Sequence, residues 1–211
     1  MVMESNIVYS LEPKFQRRKN EPRENVRQYL KMHYEDRVKR SGMSMTWDQH
    51  SIDILDAVAT WLGTPHKTGL LLFGGYGTGK TTMLSCLEDI FRWDFFDPGH
   101  VRRYYPSEII DVLKSNQHPA PMADFRKVPV MLIDEVGMEP VTSTIWGDRC
   151  APVRDIIIAR YDHSKTTVIA TNLDADEFQA HYGERVMDRI NQAYTKIYFG
   201  ADSYRQDLTG R

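Results

Sequence analysis

The sequence predicts an α/β protein built on five parallel strands, with helices on both faces of the sheet. Short apolar runs alternate along the chain with segments of helical periodicity, which is the pattern of a strand–helix–strand fold. Those runs are continuously apolar, as is typical of strands that are buried on both faces. Four glycines crowded between the first run and the next helical segment indicate a sharply bent backbone that lies close to another group.

The third predicted strand, VPVMLID, is the clearest, because apolar residues fill it almost continuously. The five strands are predicted at residues 69–73, 101–105, 128–134, 166–171 and 195–199. Helices are predicted at 24–40, 47–62 and 80–92 from apolar residues spaced three and four apart, and another begins at Pro106. Residues 138–151 form a long connection for which the sequence suggests no regular structure.

The composition is that of one globular domain with an extension, since 41% of the 211 residues are apolar. The formal charge of −2 gives no general case for nucleic-acid binding, although residues 1–50 hold 10 basic and 7 acidic side chains. Neither cysteine has C-x-x-C spacing, so neither a zinc site nor a disulfide framework is predicted. No apolar stretch approaches the ~18 residues of a membrane span, and the N-terminus does not read as a signal peptide. We therefore expect a cytoplasmic protein without membrane contact.

The glycine-rich stretch GGYGTGKT at residues 74–81 fits the pattern G-x-x-x-x-G-K-[ST]. In this pattern backbone N–H groups surround phosphates, the lysine reaches the β and γ phosphates, and the hydroxyl binds magnesium. A strand precedes the stretch and a helix follows it, which places the phosphates at a helix N-terminus. The predicted ligands are therefore ATP and Mg²⁺, and an ordinary glycine-rich turn is the alternative. The candidate nucleotide-binding residues are Gly74, Gly75, Tyr76, Gly77, Thr78, Gly79, Lys80, Thr81 and Thr82.

An acidic pair, Asp134-Glu135, ends the third predicted strand. Carboxyl ends of parallel strands meet at one edge of a sheet, so Asp134 is expected beside Thr81 as a second group that holds Mg²⁺. Glu135 is then in position to accept a proton from the attacking water. The alternative is a solvated acidic pair at a strand end. A second carboxylate beside the first favours hydrolysis over transfer of phosphate to a small molecule.

Five motifs in this order resemble the AAA+ ATPases, a group of P-loop NTPases, and within them the helicase loaders of the DnaC and DnaI type, with the IstB transposition ATPases close by. The motifs are GGYGTGKTT (74–82), LIDEVG (132–137), IATNL (169–173), YGERVMDRI (182–190) and DSYR (202–205). The resemblance implies an AAA+ sheet of five parallel strands in residues 46–211. It also implies a short N-terminal helical arm, residues 1–45, as a candidate partner-binding region.

The resemblance also assigns roles to three polar residues. Asn172 would be the sensor that helps Glu135 to orient water, and its alternative is an asparagine that caps the next helix. Arg205 matches a second sensor, the sensor 2 arginine. Because only six residues follow Arg205, the helical lid that normally carries this residue is expected to be absent or vestigial.

Two arginines spaced four apart, Arg185 and Arg189, match the segment that presents an arginine finger to the ATP of a neighbouring subunit. Arg189 matches better than Arg185. The alternative is a set of salt bridges within one helix, with Glu184 and Asp188 as partners.

The implied partner is a replicative helicase of the DnaB type, bound by a homo-oligomer that assembles on the helicase or on DNA. Single-stranded DNA is a second candidate ligand, because VRRYYP (101–106) interleaves cations with aromatic rings, although strand alternation would pack part of it in the core. The alternatives are an IstB-like transposition or phage accessory ATPase, a small-molecule P-loop kinase, and a protein that uses ATP only as a structural ligand. The family's zinc-containing N-terminal domain cannot be built from the short arm.

Overall fold

A computed structural model of the chain describes residues 23–42, 46–63, 68–92, 98–115 and 121–200. Residues 1–22 of the predicted arm lie outside the described residues. So do Arg205, the DSYR motif and the predicted site of the lid.

The sheet is the feature that was predicted most directly. The strands of the described residues are β1 (Gly69–Phe73), β2 (Val101–Tyr104), β3 (Val130–Val136), β4 (Ser143–Ile145), β5 (Asp148–Cys150), β6 (Thr166–Thr171) and β7 (Tyr194–Tyr198). Five of them form one sheet in the order β2-β3-β6-β1-β7, and every pairing in it is parallel. The α/β fold with five parallel strands is confirmed.

Helices cover both faces of this sheet, as predicted. They are α1 (Arg23–Arg40), α2 (Gln49–Gly63), α3 (Lys80–Ile90), α4 (Pro106–Ser115), α5 (Pro121–Lys127), α6 (Pro152–Asp162), α7 (Ala175–Tyr182) and α8 (Glu184–Ala193). One buried cluster joins α1, α2 and α3 to one face of the sheet, and a second joins α4 to α8 with the other face. None of the described helices is long and apolar enough to cross a membrane.

Helix α1 was assigned to the N-terminal arm, but it packs in the same core as the sheet. Leu30 is fully buried in the cluster formed with α2 and α3. Arg37 forms an ion pair with Asp89 of α3 at 2.9 Å, and the thiol of Cys86 lies 3.7 Å from the carbonyl oxygen of Leu30. The described part of the arm is therefore integral to the globular fold. Its apolar stripe predicted the helix but could not show which surface the stripe would cover.

The long connection after β3 contains a β-hairpin that sequence reasoning did not find. Strands β4 and β5 pair antiparallel and are joined by Trp146 and Gly147. Both residues have positive φ, 56° and 92°, as a type I′ turn requires. The Trp146 indole N–H donates to the carbonyl of Leu113 at 2.9 Å, which holds the hairpin against α4. A Trp-Gly pair is a weaker turn signal than Asn-Gly, because tryptophan rarely adopts positive φ.

A buried arginine fixes the edge of the sheet where the strands begin. Arg160 of α6 is fully buried, and its guanidinium donates to the carbonyls of Phe125, Val128 and Thr166 at 2.6 to 2.9 Å. Its Nε donates to the hydroxyl of Thr167 at 2.9 Å. Burial lowers the pKa of Arg160 to about 10. These bonds connect the end of α5 to the start of β6 through the Arg160 side chain.

Replacing Leu30 with alanine should lower the free energy of unfolding by about 2–5 kcal/mol, because it leaves a cavity between α1, α2 and α3. Met32→Ala is the matched control on the same helix, since Met32 is 55% exposed and should change stability by less than about 0.5 kcal/mol. Urea denaturation followed by circular dichroism measures both. Equal stability of the two variants would contradict the packing of α1 in the core.

Candidate active site

The glycine-rich loop between β1 and α3 closes around a lysine. Gly74 has φ of 135°, and a Cβ atom there would lie 2.6 Å from the carbonyl oxygen of Phe199, so no other residue fits. Lys80 is buried, and its Nζ donates to the carbonyls of Gly74 and Gly75 at 2.7 and 2.5 Å. A third bond, of 3.3 Å, reaches the hydroxyl of Thr78. The ammonium is thus bound by neutral oxygens of its own loop, and an anionic group would be a stronger partner for it.

The start of α3 suits an anion as well. Gly79 precedes the helix with φ of 95°, and the first helical residue is Lys80. Unpaired N–H groups of the first turn and the helix dipole both attract negative charge. Tyr76, at the tip of the loop, is exposed, and its hydroxyl lies 3.5 Å from the Met138 sulfur. The loop therefore has the charge and shape of a phosphate cradle.

The two side chains of the acidic pair, near the end of β3, lie in different environments. Asp134 is 1% exposed, whereas the side chain of Glu135 is exposed. Strand β3 carries one extra residue relative to β6 between Ile133 and Val136, and Glu135 takes the unusual φ of 55°. This bulge turns consecutive carboxylates to different environments.

Asp134 meets the cradle through Thr81, as the sequence predicted. The Thr81 hydroxyl lies 3.3 Å from Asp134 Oδ1, and the same oxygen accepts the N–H of Glu135 at 3.0 Å. A hydroxyl and a carboxylate are hard oxygen ligands of the kind that Mg²⁺ prefers. The residues therefore fit a magnesium ion bound between α3 and the end of β3.

Arg103 of β2 also binds Asp134, and sequence reasoning missed this contact. Its Nη2 donates to Asp134 Oδ2 at 2.6 Å, and its Nη1 donates to the Ser85 hydroxyl at 2.7 Å. Burial disfavours the charged guanidinium, but the charge and hydrogen bond of Asp134, together with Tyr105 and Glu88, outweigh it and raise the pKa of Arg103. Tyr104 packs on Phe125 with ring centres 5.2 Å apart. Residues of VRRYYP thus contribute to the site and the core, which weakens the interpretation of this strand as a DNA-binding surface.

Asn172 follows β6 at the edge where the cradle and the acidic pair meet. The preceding residue, Thr171, pairs with Phe73 of β1 and with Val136 of β3. The backbone of Asn172 therefore lies between the glycine-rich loop that follows β1 and the acidic pair of β3. The alternative role, capping of α7, belongs to Asp174, which forms a reciprocal capping box with Glu177.

Arg185 and Arg189 lie on α8 and face α6. The Arg189 guanidinium lies 3.7 Å from the Asp162 carboxylate and 5.1 Å from the centre of the Tyr161 ring. Arg185 is exposed and, with Asp162, lines a depression of about 280 Å³. The salt-bridge partner of Arg189 is therefore on a neighbouring helix, and is neither Glu184 nor Asp188.

A buried glutamate connects the end of β3 to the start of α8. Glu139 accepts the N–H of Gly137 at 2.9 Å and the hydroxyl of Tyr182. Tyr182 is two residues before α8, separated from it by Gly183 with φ of 85°. Burial and the charge of Glu139 raise the pKa of Tyr182 well above its usual value, so it remains a donor. Such a link cannot be read from the sequence, because it joins two polar residues 43 positions apart.

The chain is similar to a curated protein and to several solved structures. No protein-family model matches the sequence. A curated relative, the replicative helicase loader DnaI of Bacillus subtilis (strain 168), is 23% identical over 167 residues, which cover 75% of this chain. The match covers 52% of DnaI, so the chain spans about half the length of this relative.

Solved structures give the same result for the fold. A crystal structure of DnaI superimposes with a TM-score of 0.56 at 20% identity, covering 76% of this chain and 89% of the crystallised chain. A crystal structure of the DnaC helicase loader gives 0.56 at 19% identity, covering 74% of this chain and 93% of that one. The chain shares the fold of these DnaI and DnaC structures.

The predicted resemblance to the DnaC and DnaI loaders is thereby confirmed. A third structure with the same fold is AMPPCP-bound DnaA from Aquifex aeolicus, with a TM-score of 0.56 at 15% identity. It covers 75% of the DnaC-like chain and 49% of DnaA. AMPPCP is an ATP analogue, so a protein of this fold holds a nucleotide.

Proposed function

We propose that this chain binds and hydrolyses ATP and that it acts in DNA replication as a DnaC-like loader of the replicative helicase. The observation that carries the proposal is the convergence of Lys80, Thr81 and Asp134 at one edge of the sheet, with the exposed Glu135 beside them. The similarity to DnaI and DnaC supports the loader role.

Each residue of the site would have a distinct part in binding. The loop from Gly74 to Thr82 would surround the phosphates with backbone N–H groups, and Lys80 would exchange its loop carbonyls for phosphate oxygens. Thr81 and Asp134 would hold Mg²⁺, which would offset the negative charge of the phosphates. Arg205 remains a proposed contact of the nucleotide.

Hydrolysis requires a base that water can reach. Glu135 is exposed at the end of the bulge, next to Asp134, and would take the proton of the attacking water. Asn172 would help to orient the same water, since its backbone lies between the cradle and the acidic pair. This arrangement supports a hydrolase over a small-molecule kinase.

A neighbouring subunit would complete the site. Neither Arg185 nor Arg189 contacts the cradle among the described residues, so a role for either in charge stabilisation requires a second copy of the chain. Arg185 can reach a neighbour without breaking an ion pair, whereas Arg189 would first leave Asp162. We assign the arginine finger to this pair.

The partner would be a DnaB-like replicative helicase, with single-stranded DNA as a second ligand. Matches to replication proteins favour this partner over the transposase of an IstB-like ATPase.

Glu135→Gln should leave ATP binding unchanged but lower the rate of hydrolysis by at least about 100-fold, because the amide cannot accept the proton. Asp176→Asn is the matched control, an exposed acid in the first turn of α7. Binding is measured by isothermal titration with ATP and Mg²⁺, and turnover by phosphate release. Turnover at the wild-type rate in Glu135→Gln would exclude Glu135 as the base.

Mixing two inactive variants tests the finger in trans. Arg185→Ala/Arg189→Ala should bind ATP without hydrolysing it, because its cradle is intact, and Lys80→Ala should not bind ATP. The mixture should recover turnover, since each finger-deficient subunit can receive a finger from a Lys80→Ala neighbour. Arg154→Ala, an exposed arginine of α6, is the control.

An assembled mixture that recovers no activity would contradict action in trans. The hydrolysis rates of Arg185→Ala and Arg189→Ala, each measured alone, then show which of the two arginines acts as the finger.

The loader role predicts a stable complex with the replicative helicase of the native host. Size-exclusion chromatography in ATP and Mg²⁺ should give co-elution, and the complex should increase the amount of helicase retained on circular single-stranded DNA. A helicase from another family serves as control. Absence of any complex would contradict the loader role while leaving the ATPase intact.

A further inference from the structure

Arg103 occupies an unusual place for an arginine, on an edge strand but directed inward. Its side chain is 17% exposed and lies between β3 and α3, on the face of the sheet where Val101 is buried. Its guanidinium binds Asp134, Ser85 and Glu88, and it lies 5.8 Å from the centre of the Tyr105 ring. Asp134 lies near the end of β3, and Ser85 and Glu88 lie on the helix that begins with Lys80.

The two oxygens of the Asp134 carboxylate have different partners. Oδ2 accepts from Arg103 at 2.6 Å, while Oδ1 accepts the N–H of Glu135 at 3.0 Å and faces the Thr81 hydroxyl at 3.3 Å. The bond to Arg103 is short and charge-assisted, and such bonds are about twice as strong as neutral ones. Arg103 and the Glu135 backbone therefore together fix which oxygen is presented to Thr81.

Acidic side chains offset part of the positive charge of Arg103. Glu88 Oε2 lies 3.5 Å from Arg103 Nη1, although Glu88 also pairs with Arg92 at 2.8 Å, and Asp134 pairs with Nη2. The Ser85 hydroxyl accepts the other Nη1 bond and donates to the carbonyl of Thr81 at 2.9 Å. Arg103 is thus connected to both residues that would hold the metal.

We infer that Arg103 is a positioning residue of the magnesium site, which holds Asp134 Oδ2 so that Oδ1 is directed towards the ion beside Thr81. This rests on the proposed ATP-binding function. Partners that hydrogen-bond a ligating carboxylate typically change metal affinity by 10- to 100-fold when removed. The inference concerns the metal alone, and the cradle contacts of the phosphates do not depend on it.

The experiment measures binding of AMPPCP as a function of Mg²⁺ concentration. Arg103→Gln should raise the Mg²⁺ concentration at half-maximal binding on the order of tenfold, while its affinity for AMPPCP in EDTA stays that of the wild type. Arg103→Lys should recover part of the shift. Arg102→Gln is the control on the same strand, because Arg102 is on the opposite face and exposed.

Action through Asp134 is tested by a double variant. Asp134→Asn alone should raise the Mg²⁺ requirement, and adding Arg103→Gln to it should cause no further change. An additive effect, an unchanged midpoint or a lower Mg²⁺ requirement in Arg103→Gln would each overturn the inference.

A second variant covers loss of folding. If Arg103→Gln does not fold, Ser85→Ala tests the inference instead, because it removes one hydrogen-bond partner of the guanidinium. A higher Mg²⁺ concentration at half-maximal AMPPCP binding supports the inference. An unchanged concentration contradicts it. Wild-type protein that binds no AMPPCP at any Mg²⁺ concentration would instead contradict the proposed function.

Discussion

The buried carboxylate of Asp134 is the constraint on which the site depends. A charge removed from water is costly unless other groups pair with it, and here the partners come from separate elements. Thr81 belongs to α3, Arg103 to β2 and Glu135 to the bulge of β3. Satisfying one carboxylate therefore brings the start of a helix and two strands into register at the same edge of the sheet.

Arg160, which is fully buried, and Arg103, which is 17% exposed, bind at opposite ends of the strands. Arg103 binds a carboxylate at the end of β3, whereas the described contacts of Arg160 at the start of β6 are all with neutral oxygens. The first contact belongs to the candidate metal site. The second lies where the strands begin and takes no part in that site.

Sequence patterns predicted the structural features that depend on residues close together in the chain. The bounds of β1 and β6 agree with the predicted runs, and Thr81 and Asp134 meet as the motifs required. Contacts between distant polar residues were missed, including Arg103 with Asp134 and Glu139 with Tyr182. Periodicity records which side chains are apolar, but it contains no information on which polar side chains face each other across the fold.

The bonds between Lys80 and its own loop influence which anions the cradle selects. Three oxygens already coordinate the ammonium, so an incoming ligand gains only the difference between its own bonds and theirs. A singly charged ion such as chloride offers little improvement over two carbonyls and a hydroxyl. A polyphosphate provides several charged oxygens at once, so we expect the closed loop to favour polyphosphates over singly charged anions.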